Sequence, residues 1–444
     1  MKFHFISPLL TQTTKRIRDS ATGWLTPDLF FGLSLAVGAF TTDAATTGPA
    51  LPLPQEVYIW QRAWTPAVRE AVTEHGGSFS NIVALAAEVS WSHGKPEVVR
   101  VPLDFNTLAL TKRPIGLALR IGAFGGPFAT NDTVAKTLRS LATSIVSAAK
   151  TNQINLSELQ LDFDCADSKL AGYRLWVESI RRQIAPVPLS ITTLPSWLKQ
   201  PGFRDFISAS DGYVLQVHSL EKPKSFDAPF TLCDPKAALA AAEKASSFGI
   251  PFRVALPTYG YLMAFATNGQ FVGLSAEGPA KSWPANAKLR EVRSDPVEMA
   301  KLVQKLAANP PPNLRGIIWY RLPTIVDNLN WRWPTLGAIV NAQLPHESVR
   351  AQLRRVEAGL VEINLVNEGE LDISSRLAVE IRWQDARLVA GDGLRGFELV
   401  EGDASTARLT TRSQPHRLAA GEHRTIGWLR FNRDVEVQLE IKKQ

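Results

Sequence analysis

Two carboxylates one residue apart, Asp162 and Asp164, close the run Glu158-Leu-Gln-Leu-Asp-Phe-Asp-Cys165. Leu159, Leu161, Phe163 and Cys165 alternate as an apolar face that must meet a packed layer, which turns Gln160, Asp162 and Asp164 to the other side. At a rise of about 3.3 Å per residue, the two acids lie about 7 Å apart along such a strand. In a partly dry site they cannot both ionise freely, so one pKa rises. A protonated carboxyl beside an ionised one suits acid/base cleavage of an acetal bond. The competing reading pairs the same acids with Arg120 or Arg62 in a structural ion network.

The same parity, applied to Val57-Tyr-Ile-Trp-Gln-Arg-Ala-Trp64, sends Tyr58, Trp60, Arg62 and Trp64 to one face. Flat rings offer stacking surfaces for sugars, and a guanidinium offers a fork of donors to hydroxyls or acids. Other strand-like runs add Glu88, Arg120, Thr192, Gln216, His218 and Tyr259, with Tyr261 just beyond. In Gly316-Ile-Ile-Trp-Tyr-Arg321 alternation leaves two choices, Trp319 with Arg321 or Tyr320. Taken singly, His218 reads as readily as a structural histidine, and any one tryptophan as core. What favours a site is that nearly every strand brings a polar or aromatic group to the same end.

Strand candidates lie at 57–64, 81–91, 114–122, 158–165, 188–194, 212–219, 252–259 and 314–321, with helical runs at 66–75, 131–150, 168–184, 235–248 and 295–308. About eight β/α units over roughly 280 residues predict a (β/α)8 TIM barrel, in which functional groups sit at the carboxyl ends of the strands. After Pro345 the helical signals stop. Segments 356–366, 376–384, 406–412 and 423–441 predict a β-sandwich. The expected organisation is a targeting segment (1–45), a linker (46–55), the barrel (56–345) and the sandwich (346–444). The targeting segment rests on Lys2, Lys15, Arg16 and Arg18 ahead of an apolar run from Leu29 to Phe40, which suits a secretory signal or a short amphipathic helix. The first choice makes the protein exported, to the periplasm, with membrane contact only through that segment.

Composition narrows the classes further. Over 444 residues, 49 Lys+Arg against 42 Asp+Glu leave a charge of +7 spread along the chain, a surface bias rather than a nucleic-acid footprint. The two cysteines, Cys165 and Cys233, show no metal-ligand spacing, and no H-x-H or H-E-x-x-H is present, so no metal is expected. No G-x-G-x-x-G or P-loop follows any of the barrel's strand candidates, and no G-x-S-x-G occurs, so neither a nucleotide cofactor nor acyl transfer is expected.

From Glu56 to about Asn341 the chain resembles an uncharacterised bacterial domain family placed among the glycoside-hydrolase-like TIM barrels. The resemblance rests on Tyr58-Ile-Trp60-Gln61-Arg62-Ala-Trp64, Gln160-Leu-Asp162-Phe-Asp164 with Tyr173, Ser190-Ile-Thr192-Thr193-Leu194-Pro-Ser-Trp197, and Gln216-Val-His218. It implies a barrel and no particular reaction. More distantly, the fourth strand is similar to that of chitinase-type glycosidases, whose Asp-x-Asp-x-Glu motif ends in the acid catalyst; here Ala166 stands in the glutamate's place. Two functions are therefore expected in parallel, a carbohydrate hydrolase or a non-catalytic glycan-binding or assembly protein. In the first, Asp164 is the acid and Asp162 orients it, with Glu88 and His218 candidates for a second role. Arg62, Arg120, Gln216 and Thr192 would then hold the sugar, and Trp60, Trp64 and Tyr259 would stack on it, with Tyr261, Trp319 and Arg321 at the rim.

Overall fold

The computed structural model describes residues 53–276, 283–411 and 417–443. The expected targeting segment and most of the linker lie outside them. The first strand, β1 (Gln55–Ile59), is followed by α1 (Pro66–His75), the hairpin of β2 (Asn81–Ser92) and β3 (Lys95–Arg100), α2 (Phe105–Leu110) and β4 (Ile115–Ile121). Then come α3 (Thr133–Thr151), β5 (Leu156–Phe163), α4 (Leu170–Ile184), β6 (Leu189–Thr193), α5 (Phe203–Ile207), β7 (Gly212–Gln216), α6 (Pro235–Ser246) and β8 (Phe252–Pro257). A small sheet of β9 (Gly260–Phe265), β10 (Phe271–Ser275) and β11 (Lys288–Arg293) interrupts the alternation before α7 (Pro296–Ala308), β12 (Leu314–Tyr320) and α8 (Trp333–Val340).

Eight of these strands run parallel in the order β1-β12-β8-β7-β6-β5-β4-β2, and β1 also pairs with β2, so the sheet closes on itself. This is the expected (β/α)8 barrel. Helix starts are specified locally: Asp132, Asp234 and Asp295 each cap the first turn of α3, α6 and α7 by accepting backbone N–H bonds, and Pro235 and Pro296 follow two of them. Between strands and helices, Phe163 lies edge-on to Tyr173, with ring centroids 5.0 Å apart, and beside Trp176 at 5.8 Å. Inside the barrel, Tyr58, Val83, Ala118, Val214, Ala255 and Ile318 fill the axis. Two features were not expected from alternation alone. The hairpin β2–β3 runs on beyond the barrel, and β9–β11 form an antiparallel sheet inserted after the seventh barrel strand.

The carboxy-terminal strands are β13 (Val349–Glu357), β14 (Leu360–Asn367), β15 (Leu377–Trp383), β16 (Leu388–Gly393), β17 (Phe397–Glu401), β18 (Thr406–Thr411), β19 (His423–Phe431) and β20 (Val437–Lys443). They form two four-stranded antiparallel sheets, ordered β13-β14-β19-β16 and β17-β18-β15-β20, over a core that includes Ile363, Ile381, Leu409 and Leu429. The run predicted as one strand over 423–441 is two, because Asn432 to Glu436 turns the chain between the sheets. Arg417 Nη2 donates to the Asn328 carbonyl at 3.0 Å, tying the sandwich to the loop after β12.

The closing seam is tight. Ile317 N–H donates to the Pro54 carbonyl at 2.9 Å, and a Cβ on Gly316 would stand 2.6 Å from that same oxygen. Gly316→Ala should therefore loosen the β1–β12 seam and cost about 1–3 kcal/mol of stability, read as a lower urea midpoint with the slope unchanged.

Candidate active site

The register of three neighbouring strands places Glu88 beside Arg120 and Arg120 beside Asp162, in one row across β2, β4 and β5. A bulge between Leu85 and Ala87 keeps Glu88 on the interior side, since it resets the alternation of β2 after Val83. The row is linked by contact as well as register. Arg120 Nη1 lies 3.2 Å from Asp162 Oδ2, Thr192 Oγ1 donates to Asp162 Oδ1 at 2.9 Å, and Arg62 Nη2 lies 2.5 Å from Glu88 Oε2. Burial works against the charge of Arg120, yet Asp162, Tyr320, Asp164 and Glu88 together outweigh it and hold the guanidinium firmly protonated.

Asp164 sits one residue past the end of β5 and is exposed, whereas Asp162 is buried. Crowding by the surrounding protein first, and the Asp162 carboxylate second, push the Asp164 carboxyl up to about 6, while Arg120 pulls it down. The row Arg62, Glu88, Arg120, Asp162 sets two guanidiniums against two carboxyls; Asp164 adds a third carboxyl with no guanidinium of its own. In this respect both sequence readings describe part of the site: Asp162 is held in an ion pair, and Asp164 opens to water.

Beside the row stands a cluster of rings. Trp60 is half-buried and meets Tyr58 at 5.2 Å and Tyr320 at 5.5 Å between centroids, both edge-on. The eighth strand thus turns Tyr320 inward, which resolves the two choices. Trp319 faces the helix layer instead, fully buried against Trp331 and donating to Gln55 Oε1 at 2.8 Å. Arg321 belongs with it: its Nη2 reaches Asp327 Oδ1 at 2.8 Å within the following loop. Trp64 also leaves the predicted set, buried in the outer core, because β1 ends at Ile59 and strand parity does not extend past it.

Gln216, His218, Tyr259 and Tyr261 form a wall rather than a rim. His218 Nδ1 and Tyr259 OH are 3.1 Å apart, Tyr259 OH and Tyr261 OH 3.2 Å, and Tyr261 OH and Ser219 Oγ 2.7 Å. Gln216 Nε2 donates to the His218 carbonyl at 3.3 Å. Burial drops His218 to about 3, so its imidazole is neutral across the physiological range. Tyr259 is 5% exposed and offers no open face for stacking. Burial first, and Asp164 among other neighbours, raise the Tyr261 pKa, with Ser219, Tyr259 and Arg120 opposing. Tyr320 and Ser219 were the groups that parity left unassigned or did not single out. Among the described residues, no group of three or more His, Cys, Asp or Glu is arranged to hold a metal ion.

Residues 111–325 match the model of a domain of unknown function, DUF3142, and residues 350–432 that of a second, DUF8456. The expected resemblance to a family of unknown function is met on the barrel; the match on the carboxy-terminal domain was not expected. No curated protein matches the sequence. Solved structures that resemble this one include a chitinase from Bacillus thuringiensis, 10% identical, over 88% of this chain and 100% of that one, at a TM-score of 0.43. A Bacillus cereus spore cortex-lytic enzyme is 11% identical over 67% and 75%, at 0.44, and a Chromobacterium violaceum chitinase 13% identical over 65% and 98%, at 0.42.

The electrostatics make opposite predictions for the two partners of Asp164. Asp162→Asn should lower the Asp164 pKa from about 6, and Arg120→Met should raise it, both read by carbon-13 NMR titration of the carboxyl. The sign of the linkage follows. Folded Asp164 keeps its proton to about pH 6, whereas the unfolded group loses it near 3.8, so its contribution to stability is present below the lower value and is lost as pH rises through the upper one. Melting temperatures of Asp164→Asn should lack that fall.

Proposed function

We propose that the carboxyl end of the barrel binds a glycan and hydrolyses it, with Asp164 as the proton donor. The observation that carries this reading is a solvent-open carboxyl whose proton affinity is raised to about 6, set against a row of two guanidiniums and two carboxyls. A general acid works best when its pKa lies near the operating pH. In the proposed reaction, Asp164 gives its proton to the glycosidic oxygen as the bond from that oxygen to the anomeric carbon breaks. The positive charge that develops on the sugar is stabilised by the Asp162 carboxylate, which Arg120 and Thr192 hold in place. Water supplies the hydroxyl and yields its proton to a carboxylate, for which Glu88 is the candidate in the same row. His218 suits that role poorly, being buried and bonded to Tyr259.

Substrate contacts fall to the half-open groups. Trp60 supplies the stacking face, while Arg62, Arg120 and Gln216 offer donors to hydroxyls or to acidic substituents. An exported protein acting on an extracytoplasmic glycan agrees with the apolar run at residues 29–40.

A second reading draws on one position. Ala166, the next residue after Asp164 on the same alternation, is exposed and carries no acid, which favours a barrel that holds a glycan without cutting it. The two are separated by incubating the protein with chitin-type and peptidoglycan-type oligosaccharides and following both binding and product. The hydrolase reading expects turnover that Asp164→Asn reduces by about 10²-fold or more, with glycan affinity and melting temperature preserved. Tight binding with no product after days of incubation would assign the protein to the second class.

A further inference from the structure

A separate recess of about 500 Å³ opens on the sandwich, lined by Arg395, Gly396, Arg417, Glu422 and Arg424. Arg395 reaches it from a tight turn between β16 and β17, which the Phe397 N–H closes on the Leu394 carbonyl at 3.1 Å. Both central residues have positive φ, 52° at Arg395 and 85° at Gly396. A hairpin turn of this kind ordinarily takes Asn, Asp or Gly at its first central position, and an arginine there is conformationally unfavourable. Its guanidinium has no ion-pair or hydrogen-bond partner among the described residues.

The other side chains make the recess cationic. Arg417 pairs with Asp372 at 3.2 Å, and Arg424 places Nε and Nη2 on one oxygen of Glu422 at 2.9 and 2.7 Å. Burial, then Arg293 and Arg332 from the barrel side, hold the Arg417 pKa below its ordinary value, with Asp372 and Glu291 only partly offsetting them. Three guanidiniums, Arg395, Arg417 and Arg424, thus line the recess with one carboxylate, Glu422. Like charges kept this close lose free energy unless an anion is shared between them.

We propose that this recess binds a sugar-sized anion, a saccharide unit bearing a carboxylate or a phosphate. The fork of a guanidinium matches either oxyanion in two-point contact. The volume lies in the range of small-molecule sites, well above what one inorganic ion fills. The site is independent of the barrel mouth, and its proposal stands whether or not that mouth is catalytic.

The test uses the full chain and three probes, glucuronate, glucose 6-phosphate and glucose, titrated while the arginine Nε signals are followed by NMR. At least one anionic probe should bind and shift the Arg395, Arg417 or Arg424 signals, and the neutral sugar should not. Which anion binds distinguishes a uronate source from a sugar phosphate. Arg395→Gly relieves the backbone, so it should leave the melting temperature unchanged or raised while weakening the anion by about ten-fold or more. Equal binding of glucose, an affinity unchanged in Arg395→Gly, or no binding of either anion up to about 10 mM would overturn the proposal.

Discussion

The site depends on Arg120. It is a cation set between two acids in a single row of the sheet, Glu88 on one side and Asp162 on the other, and its charge opposes the rise in the Asp164 pKa. Buried ion pairs contribute little net stability, because desolvation offsets most of the attraction. What they do supply is position. A slip of one residue in β4 would turn Arg120 into the helix layer and strand two carboxylates in the barrel, so the row fixes the register as firmly as the core does. With Arg120 committed to Asp162 and Glu88 to Arg62, the next carboxyl along the chain, Asp164, is left to hold a proton.

The ring cluster follows from the same need to satisfy polar groups away from water. Ser219, Tyr261, Tyr259 and His218 each face another member of the chain, and Tyr320 packs against both His218 and Tyr259, at centroid separations of 5.7 and 5.5 Å. A polar chain completed in this way is rigid, since breaking one link leaves a buried group unpaired. Tyr320 in turn sets the edge on which Trp60 leans. The half-open indole is thus oriented by a closed network behind it, which is how a stacking surface can stay fixed without being buried.

Where the sequence is regular its alternation was legible, and where the strand stops it was not. In β5 the period of two separates Leu159, Leu161 and Phe163 from Gln160 and Asp162 without exception, and the structure keeps both faces. In β1 the same rule fails after Ile59, because Gln61, Arg62 and Ala63 lie outside the ladder and Trp64 swings into the outer core. The last barrel strand could not be decided from Gly316 to Arg321, since both Trp319 and Tyr320 are aromatic; the difference lies in a hydrogen bond from Trp319 to Gln55, 264 residues earlier. The insertion β9–β11 was also invisible to a count of β/α units, as its strands follow β8 with only two residues between. Sandwich strands with one charged face, such as β13, carry too few apolar residues to announce themselves.

The barrel contains a second ionic cluster, and comparing the two explains why only one is a candidate for chemistry. Toward the amino ends of the strands, Arg253 reaches Glu56 Oε2 at 2.6 Å and Glu158 Oε2 at 2.7 Å, and Asn81 donates to Glu56 at 3.1 Å. Above it, Gln160 Nε2 donates to Tyr58 OH at 2.6 Å, a polar rung between the two charged layers. The lower cluster also pairs arginine with carboxylates, yet each charged side chain there is only 11% exposed and its arginine is shared by two acids. A substrate cannot reach it without breaking those bonds, so its charges serve register alone. The upper layer differs in its open groups, the exposed Arg62 and the carboxyl of Asp164, which lies past the last rung of β5 where the backbone leaves the ladder. Leaving the ladder removes the neighbour that would have paired with it and admits water on one side. In this barrel, therefore, reactivity is a property of where the strand ends as much as of which residues it carries.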